Sequence, residues 1–254
     1  MSAPRLLTIN GAKPLDQPTT ERPFRIYAAL TNHCNRSCPW CSACSSPAGD
    51  TWLGIEDFVK TFPIEGPFEV QLEGGEPTIH PDFWEYVRLA VAHPRCQKLV
   101  IVTNGTVIPR TAAKLDAWLA RLGERFTLKL SINHHLVDKD RGLIGLAVLL
   151  RERIKQMGGD RLLVLNVRLR KGVEDDDARI MRSIEQADLM SIANVFFLQR
   201  YGFASDEDEW DLPFAINNNF TLLNPDGRVW GTDMIARSEA LRDMMFPADA
   251  PARA

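Results

Sequence analysis

The chain has 254 residues, of which 45% are hydrophobic and 25% charged, and its formal net charge is −3. This composition is typical of soluble globular domains, and the lack of a basic stretch argues against a nucleic-acid partner. No apolar run approaches the ~18 residues of a membrane span, and residues 1–10 lack the apolar centre of a signal peptide. We therefore expect a cytoplasmic protein with neither nucleic acid nor membrane among its partners.

From Phe24 onward the pattern alternates between strands and helices. Strands are predicted at 24–30, 68–72, 98–103, 126–132, 162–169 and 194–198, and helices at 55–62, 81–92, 112–122, 143–157 and 175–187. This alternation is typical of βαβ units with a parallel sheet. Six such repeats fall short of the eight of a closed barrel. The expected fold class is α/β: a partial (β/α)6 barrel of the TIM type.

Beyond the sixth strand the pattern changes. Two short apolar runs flank the turn sequence Asn224-Pro225-Asp226-Gly227, which predicts a C-terminal β-hairpin. The expected organisation is a polar N-terminal arm at 1–22, a barrel core at 23–204, and a hairpin cap with a tail at 205–254. The open mouth of the barrel could admit a macromolecule, or it could be closed by the arm and the acidic loop at 205–211.

Three cysteines, Cys34, Cys38 and Cys41, lie directly after the first predicted strand with the spacing C-x3-C-x2-C. Closely spaced thiols in a chain of this size indicate metal binding in a reducing compartment. Structural zinc usually takes four ligands in two separated pairs, and the second pair is missing. A closed ferredoxin-like cluster could recruit Cys44, but it would leave the rest of the chain unexplained. Three thiolates alone would leave one iron of a [4Fe–4S] cube open to a further ligand.

A second motif, Gly74-Gly75-Glu76-Pro77, follows the second predicted strand. Glycines allow a backbone to approach a ligand closely, and the carboxylate and carbonyls of such a segment suit a cationic amine. The two motifs, with Trp40 just before the last cysteine, resemble the radical S-adenosylmethionine (radical SAM) superfamily. The resemblance covers about residues 24–200.

In that family the open iron is chelated by the amino and carboxylate groups of S-adenosylmethionine. One electron from the reduced cluster cleaves the C5′–S bond, and the resulting 5′-deoxyadenosyl radical takes a hydrogen atom from the substrate. The resemblance implies that Cys34, Cys38 and Cys41 ligate a [4Fe–4S] cluster. It also implies a one-electron reductase partner such as flavodoxin or ferredoxin.

Further site residues follow from the same resemblance and from strand ends. The implied cofactor contacts are Trp40, Gly74, Gly75, Glu76, Pro77, Asn104, Ser131, Asn166 and Arg168. Ser131 and Arg168 match positions where the family often contacts ribose and carboxylate, and Asn166 alternates in phase with Arg168. The candidates on the substrate side are His33, Glu73, Asn133, His135 and Tyr201.

The expected function is a single-cluster radical SAM enzyme acting on a small polar metabolite or a peptide side chain. No cysteine follows Cys96 in this sequence, so no auxiliary cluster is expected in 205–254, and a redox-neutral outcome is favoured. Two alternatives remain open: a glycyl-radical activase acting on a partner protein, and a non-catalytic iron–sulfur electron carrier.

Overall fold

A computed structural model describes residues 23–170, 172–197, 202–204 and 219–246. Within them, seven strands form one open sheet in the order β6-β5-β4-β3-β2-β1-β7. The strands are β1 (Phe24–Ala29), β2 (Phe68–Glu73), β3 (Cys96–Thr103), β4 (Arg125–Ile132), β5 (Asp160–Leu169), β6 (Ala193–Phe197) and β7 (Phe220–Leu223). The pairs β1–β2, β1–β7, β4–β5 and β5–β6 are parallel. The expected α/β class and the partial, open barrel are confirmed.

Seven helices connect or follow these strands in the described residues. They are α1 (Ile55–Lys60), α2 (Phe83–Ala92), α3 (Ala112–Ala120), α4 (His134–Lys139), α5 (Leu143–Met157), α6 (Glu174–Gln186) and α7 (Met234–Met245). None of the helices in the described ranges is long and apolar enough to cross a lipid bilayer.

The structure divides into two compact units, with β3 running across the boundary between them. The first unit contains Pro23–Leu99 together with the described residues of 202–204 and 219–246. In it, β1 pairs with β2 on one side and β7 on the other, so Ala29 lies opposite Glu73 and Ala28 opposite Leu223. One face of this three-stranded segment buries apolar side chains, namely Ile26, Ala28, Phe68, Val70 and Leu72. The alternate positions of β2 carry Gln71 and Glu73 on the other face.

The second unit contains the described residues of Val100–Leu198. Its core is built by apolar alternation in β4 and β5 and by the stripe of α5, with Leu143, Leu146, Leu150 and Ile154 buried. Spacing of three and four residues puts that stripe on one side of the helix. The helix ends at Gly158, whose φ of 63° lies in the left-handed region that favours glycine. The opposite face of β4 and β5 carries polar residues.

The structure adds three features to the predicted elements. Helix α4 was not predicted, because its six residues are too few to show a helical period. The second predicted helix begins at Phe83 rather than Pro81, with Asp82 as its N-cap residue. The turn at 224–227 is present, with Gly227 N–H donating to the Asn224 carbonyl at 3.0 Å. However, the strand before it joins β1 as a seventh strand of the sheet. The 1–22 arm, Tyr201, the 205–211 loop and residues 247–254 lie outside the described residues.

Candidate functional site

The cysteines lie in a loop between β1 and α1, here called the cysteine loop (residues 31–53). Backbone hydrogen bonds fold this loop back on its own start. Cys34 N–H donates to the Ser46 carbonyl at 3.0 Å, and Leu53 N–H donates to the Leu30 carbonyl at 2.8 Å. Within the loop, Cys41 N–H donates to the Cys38 carbonyl at 3.2 Å. The main chain therefore fixes where the cysteine-bearing stretch begins, turns and ends.

The three cysteines differ in exposure. Cys34 is buried, whereas Cys38 and Cys41 are partly exposed. Burial, followed by the neighbouring Cys41 thiol, raises the pKa of Cys34 to about 12. The free thiol therefore holds its proton at neutral pH, and metal coordination would displace it. Within the described ranges, no three His, Cys, Asp or Glu side chains converge as the ligands of a single metal ion.

Gly74-Gly75-Glu76-Pro77, here called the GGEP segment, follows β2 and lies against the start of the cysteine loop. Gly75 N–H donates to the Thr31 carbonyl at 2.7 Å, and Glu76 N–H donates to the His33 carbonyl at 3.0 Å. A Cβ on Gly75 would lie 2.0 Å from the His33 carbonyl oxygen, and Gly74 has a φ of 119°. Only glycine allows two main chains to approach this closely at that conformation.

Glu76 is fully buried within the first unit. Its Oε1 accepts a hydrogen bond from Thr78 N–H at 3.2 Å, so it caps the short 3-10 helix Pro77–Ile79. The cap fixes the orientation of the carboxylate next to the cysteine loop. Proline at the first helical position is favoured because its missing N–H costs no hydrogen bond there.

The other predicted residues of the first unit are held by defined contacts. The His33 ring nitrogen Nδ1 lies 2.8 Å from the Gly49 carbonyl, and its ring lies 5.4 Å from the Trp52 ring. Trp40 is buried at 5% exposure. Glu73 pairs with Arg237 of α7, with 2.8 Å between Oε1 and Nη2.

The predicted residues of the second unit lie on the polar face of β4 and β5 or at strand ends. Ser131 lies opposite Asn166 in the register, and Asn166 lies opposite Asn194 of β6. Asn194 Nδ2 donates to Asn166 Oδ1 at 3.4 Å. The Arg168 guanidinium lies 5.8 Å from the centre of the Phe196 ring. These four polar residues form one patch, here called the polar strand face.

Asn104 and Asn133 each use the side-chain oxygen to hold the local backbone. Asn104 Oδ1 accepts from Thr106 N–H at 3.0 Å. Asn133 Oδ1 accepts from Leu136 N–H at 2.9 Å as the N-cap of α4, and His135 lies in the first turn of that helix. Such caps are common local roles of asparagine. The cofactor and substrate roles of these three residues stay predictions.

Two residues that contact the predicted site residues were not identified from the sequence, namely Asn194 and Arg237. Asn194 is 3% exposed, and its Oδ1 finds no hydrogen-bond partner in the described part of the chain. Its alternation with Phe196 in β6 was a signal that could have revealed it. Arg237 had no such signal, because its contact with Glu73 joins residues far apart in the sequence.

Comparison with known proteins is decisive for the family. The model of the radical SAM superfamily matches residues 29–162, which include both motifs. The chain belongs to the radical SAM superfamily. The family model thus confirms the resemblance that the cysteine spacing and the GGEP segment indicated, and members of this superfamily are enzymes.

Individual relatives are more distant. The chain is 27% identical to GTP 3',8-cyclase of Chlorobaculum tepidum over 164 residues, 60% of this chain and 47% of that protein. It is 36% identical to mycofactocin maturase MftC of Mycobacterium ulcerans over 101 residues, 38% of this chain and 27% of that protein. The chain therefore spans less than half of the curated relatives it matches.

Among solved structures, the fold resembles Streptococcus suis SuiB bound to S-adenosylmethionine. The TM-score is 0.54 at 13% identity, covering 83% of this chain and 60% of SuiB. SuiB bound to its precursor peptide SuiA gives a TM-score of 0.52 at 16% identity, covering 74% of this chain and 43% of that one. At these identities the likeness concerns the fold.

The radical SAM superfamily implies a [4Fe–4S] cluster and S-adenosylmethionine, and the first unit fits both. The cysteine loop carries four thiols, of which buried Cys44 packs with Leu241 and Met245. The other three suit a cluster with one open iron. The GGEP segment offers closely approached backbone and a fully buried carboxylate beside that loop. Cys34, Cys38 and Cys41 would hold the cluster, and Gly74 to Pro77 would hold the methionine end of S-adenosylmethionine.

Proposed function

We propose that this chain is an enzyme that reductively cleaves S-adenosylmethionine and abstracts a hydrogen atom from a substrate. The carrying observation is the backbone pairing of the GGEP segment with the start of the cysteine loop. That pairing brings a buried carboxylate, Glu76, next to the first cysteine of a three-thiol donor set. This loop and carboxylate would hold the amino acid end of S-adenosylmethionine beside the cluster.

The roles of the protein side chains follow from their chemistry. When bound, the cluster and S-adenosylmethionine supply a one-electron bond cleavage that yields a 5′-deoxyadenosyl radical. The thiolates of Cys34, Cys38 and Cys41 would hold the cluster, and Glu76 would offer its carboxylate to the methionine amine. Trp40, which is buried and precedes Cys41 in the chain, is a proposed contact of the cofactor. Ser131, Asn166 and Arg168 contribute polar contacts to the nucleoside or carboxylate of the cofactor.

The proposed substrate is a peptide side chain or a small polar metabolite. Relatives support both classes: MftC is named a maturase, SuiB is solved with a precursor peptide, and the cyclase is named for GTP. The proposed electron donor is a small one-electron carrier of the flavodoxin or ferredoxin kind. His33, Glu73, Asn133, His135 and Tyr201 stay proposed contacts on the substrate side.

The test is to reconstitute the protein with iron and sulfide without oxygen, add dithionite and S-adenosylmethionine, and measure 5′-deoxyadenosine. We expect the wild type to form it and Cys38→Ala to form none, because one cluster ligand is lost. Cys96→Ala is the matched control, since this buried cysteine lies in β3, outside the loop, and its variant should retain cleavage.

A full cluster without 5′-deoxyadenosine would refute the proposal and support an electron carrier. Counting turnovers separates the remaining alternative. Many product molecules per enzyme indicate an enzyme acting on a metabolite or peptide, whereas a single radical on a partner backbone indicates an activase.

A further inference from the structure

The C-terminal segment 219–246 reaches the GGEP segment through one arginine. Strand β7 extends the sheet beside β1, the chain turns at 224–227, and α7 begins behind Asp233, whose Oδ1 accepts from Ala236 N–H at 2.9 Å. One turn into α7, Arg237 Nε donates to Asn224 Oδ1 at 3.0 Å. Its Nη2 lies 2.8 Å from Glu73 Oε1. Arg237 therefore joins the ends of β7 and β2.

The sheet register explains how one guanidinium can span two strands. Glu73 lies opposite Ala29, and Asn224 directly follows Leu223, which lies opposite Ala28. Strand β1 therefore lies between Glu73 and Asn224, the two partners of Arg237. The β1 residue beside Glu73 is Ala29, whose side chain is only a methyl group. A planar, forked guanidinium suits this gap, because it can donate in two directions at once.

The ion pair is largely removed from water. The Arg237 side chain is 11% exposed and the Glu73 side chain 19%. The other Glu73 oxygen accepts from Gln71 Nε2, so the carboxylate is held from both sides. A buried pair of this kind loses far more when one partner is removed than when both charges are removed together.

Glu73 is the last residue before the GGEP segment, so its position matters beyond its own contacts. Its carbonyl accepts from Leu30 N–H at 2.9 Å, and two residues later Gly75 N–H is bonded to Thr31. A Glu73 carboxylate left without its cation would be driven toward water. That movement would pull the end of β2, and with it the GGEP segment, away from the cysteine loop.

We propose that Arg237 is a positioning residue for S-adenosylmethionine: it acts through Glu73 to hold the GGEP segment against the cysteine loop. This inference rests on the proposed function. It gives Glu73 a structural partner within the chain beside its proposed role on the substrate side, and it makes the C-terminal segment a support of the cofactor site.

The test measures affinity for S-adenosylmethionine on the anaerobically reconstituted full chain, by equilibrium dialysis and by the change the ligand causes in the EPR spectrum of the reduced cluster. We expect Arg237→Gln to weaken binding about ten-fold or more, the usual range for a lost supporting contact. Iron content and the spectrum without ligand should match the wild type, because no cluster ligand is altered. Arg228→Gln is the matched control, an exposed arginine in the same segment, and should bind normally.

The double variant Glu73→Gln with Arg237→Gln separates positioning from direct contact. Neutral amides at both positions leave no stranded buried charge, so we expect this variant to fold and to recover affinity to within about three-fold of the wild type. Arg237→Lys, which keeps the charge but loses the fork, should be intermediate. If Arg237→Gln does not fold, the remaining proteins test the same claim. We then expect the wild type to bind most tightly, the double variant next and Arg237→Lys most weakly.

The proposal is overturned if Arg237→Gln binds S-adenosylmethionine like the wild type. It is also overturned if the double variant stays as weak as the single one, because Arg237 would then act independently of the Glu73 charge. Both results differ from failure of the proposed function, in which S-adenosylmethionine leaves the wild-type cluster spectrum unchanged.

Discussion

The cysteine loop with its GGEP segment and the polar strand face are built in different ways. In the first, main-chain hydrogen bonds and two glycines fix the geometry, and the contacts between segments use N–H and C=O groups. In the second, side chains on three neighbouring strands share a face, and their contacts are amide to amide or guanidinium to ring. Sites made of backbone depend on a few glycines, whereas sites made of side chains tolerate coordinated replacement.

The largest expected effect is at Gly75. Gly75→Ala places a Cβ where the His33 carbonyl lies 2.0 Å away, and neither main chain can yield without separating the two motifs. We expect cleavage of S-adenosylmethionine to fall by about two orders of magnitude, since a shift of about 1 Å at a site costs that much. The free energy of unfolding should fall by about 1–3 kcal/mol. The measurements are 5′-deoxyadenosine formation and urea unfolding.

Gly145→Ala is the matched control for Gly75→Ala. Gly145 is exposed within α5, with nothing within 4 Å of a built Cβ. Alanine is the better helix former there, so this variant should be more stable by about 0.5–1 kcal/mol with unchanged cleavage. Equal losses in the two variants would mean that the close approach at Gly75 carries no special role.

A smaller effect is expected in the polar strand face, at the amide pair of Asn166 and Asn194. Asn166→Leu leaves a buried amide of Asn194 without its acceptor, so stability should fall by about 1–3 kcal/mol. The double variant with Asn194→Leu removes both polar groups and should recover most of that loss. The double variant should nevertheless bind S-adenosylmethionine more weakly, because Asn166 is a proposed contact of the cofactor. If the double variant recovers both stability and binding, Asn166 and Asn194 serve packing and not the cofactor.

The sequence predicted the cysteine loop and the GGEP segment more completely than it predicted contacts between distant elements. The cysteines and the GGEP segment were identified because their chemistry is carried by residue identity and spacing, and their place after β1 and β2 followed from strand periodicity. The two-residue period of a β-strand also predicted that Asn166 and Arg168 lie on the same face of β5. Helix α4 was missed because six residues show no period. Arg237 was missed because its contact between α7 and β2 depends on tertiary packing, which a local sequence pattern does not predict.

The smallest expected effect is a pH dependence at Asp177 of α6, in the same unit as the polar strand face. Burial is the main cause that raises the pKa of Asp177, although Arg170 N–H donates to its Oδ2 at 2.6 Å and His134 Nδ1 lies 3.9 Å from its Oδ1. Because the folded state holds this proton more tightly than the unfolded chain, the contribution of Asp177 to stability falls as pH rises from about 3.9 through the raised pKa.

Asp177→Asn cannot titrate and keeps an acceptor oxygen for Arg170. The free energy of unfolding of the wild type, relative to this variant, should therefore decline over that pH window. The decline is at most about 1.4 kcal/mol per pH unit, and it occurs where Asp177 is protonated in the folded state but not in the unfolded chain. Urea unfolding between about pH 4 and pH 7 checks this. Parallel stability curves for the two proteins would show that the hydrogen bond from Arg170 cancels the effect of burial at this carboxyl group, and a rise of the wild type with pH would show that it outweighs burial.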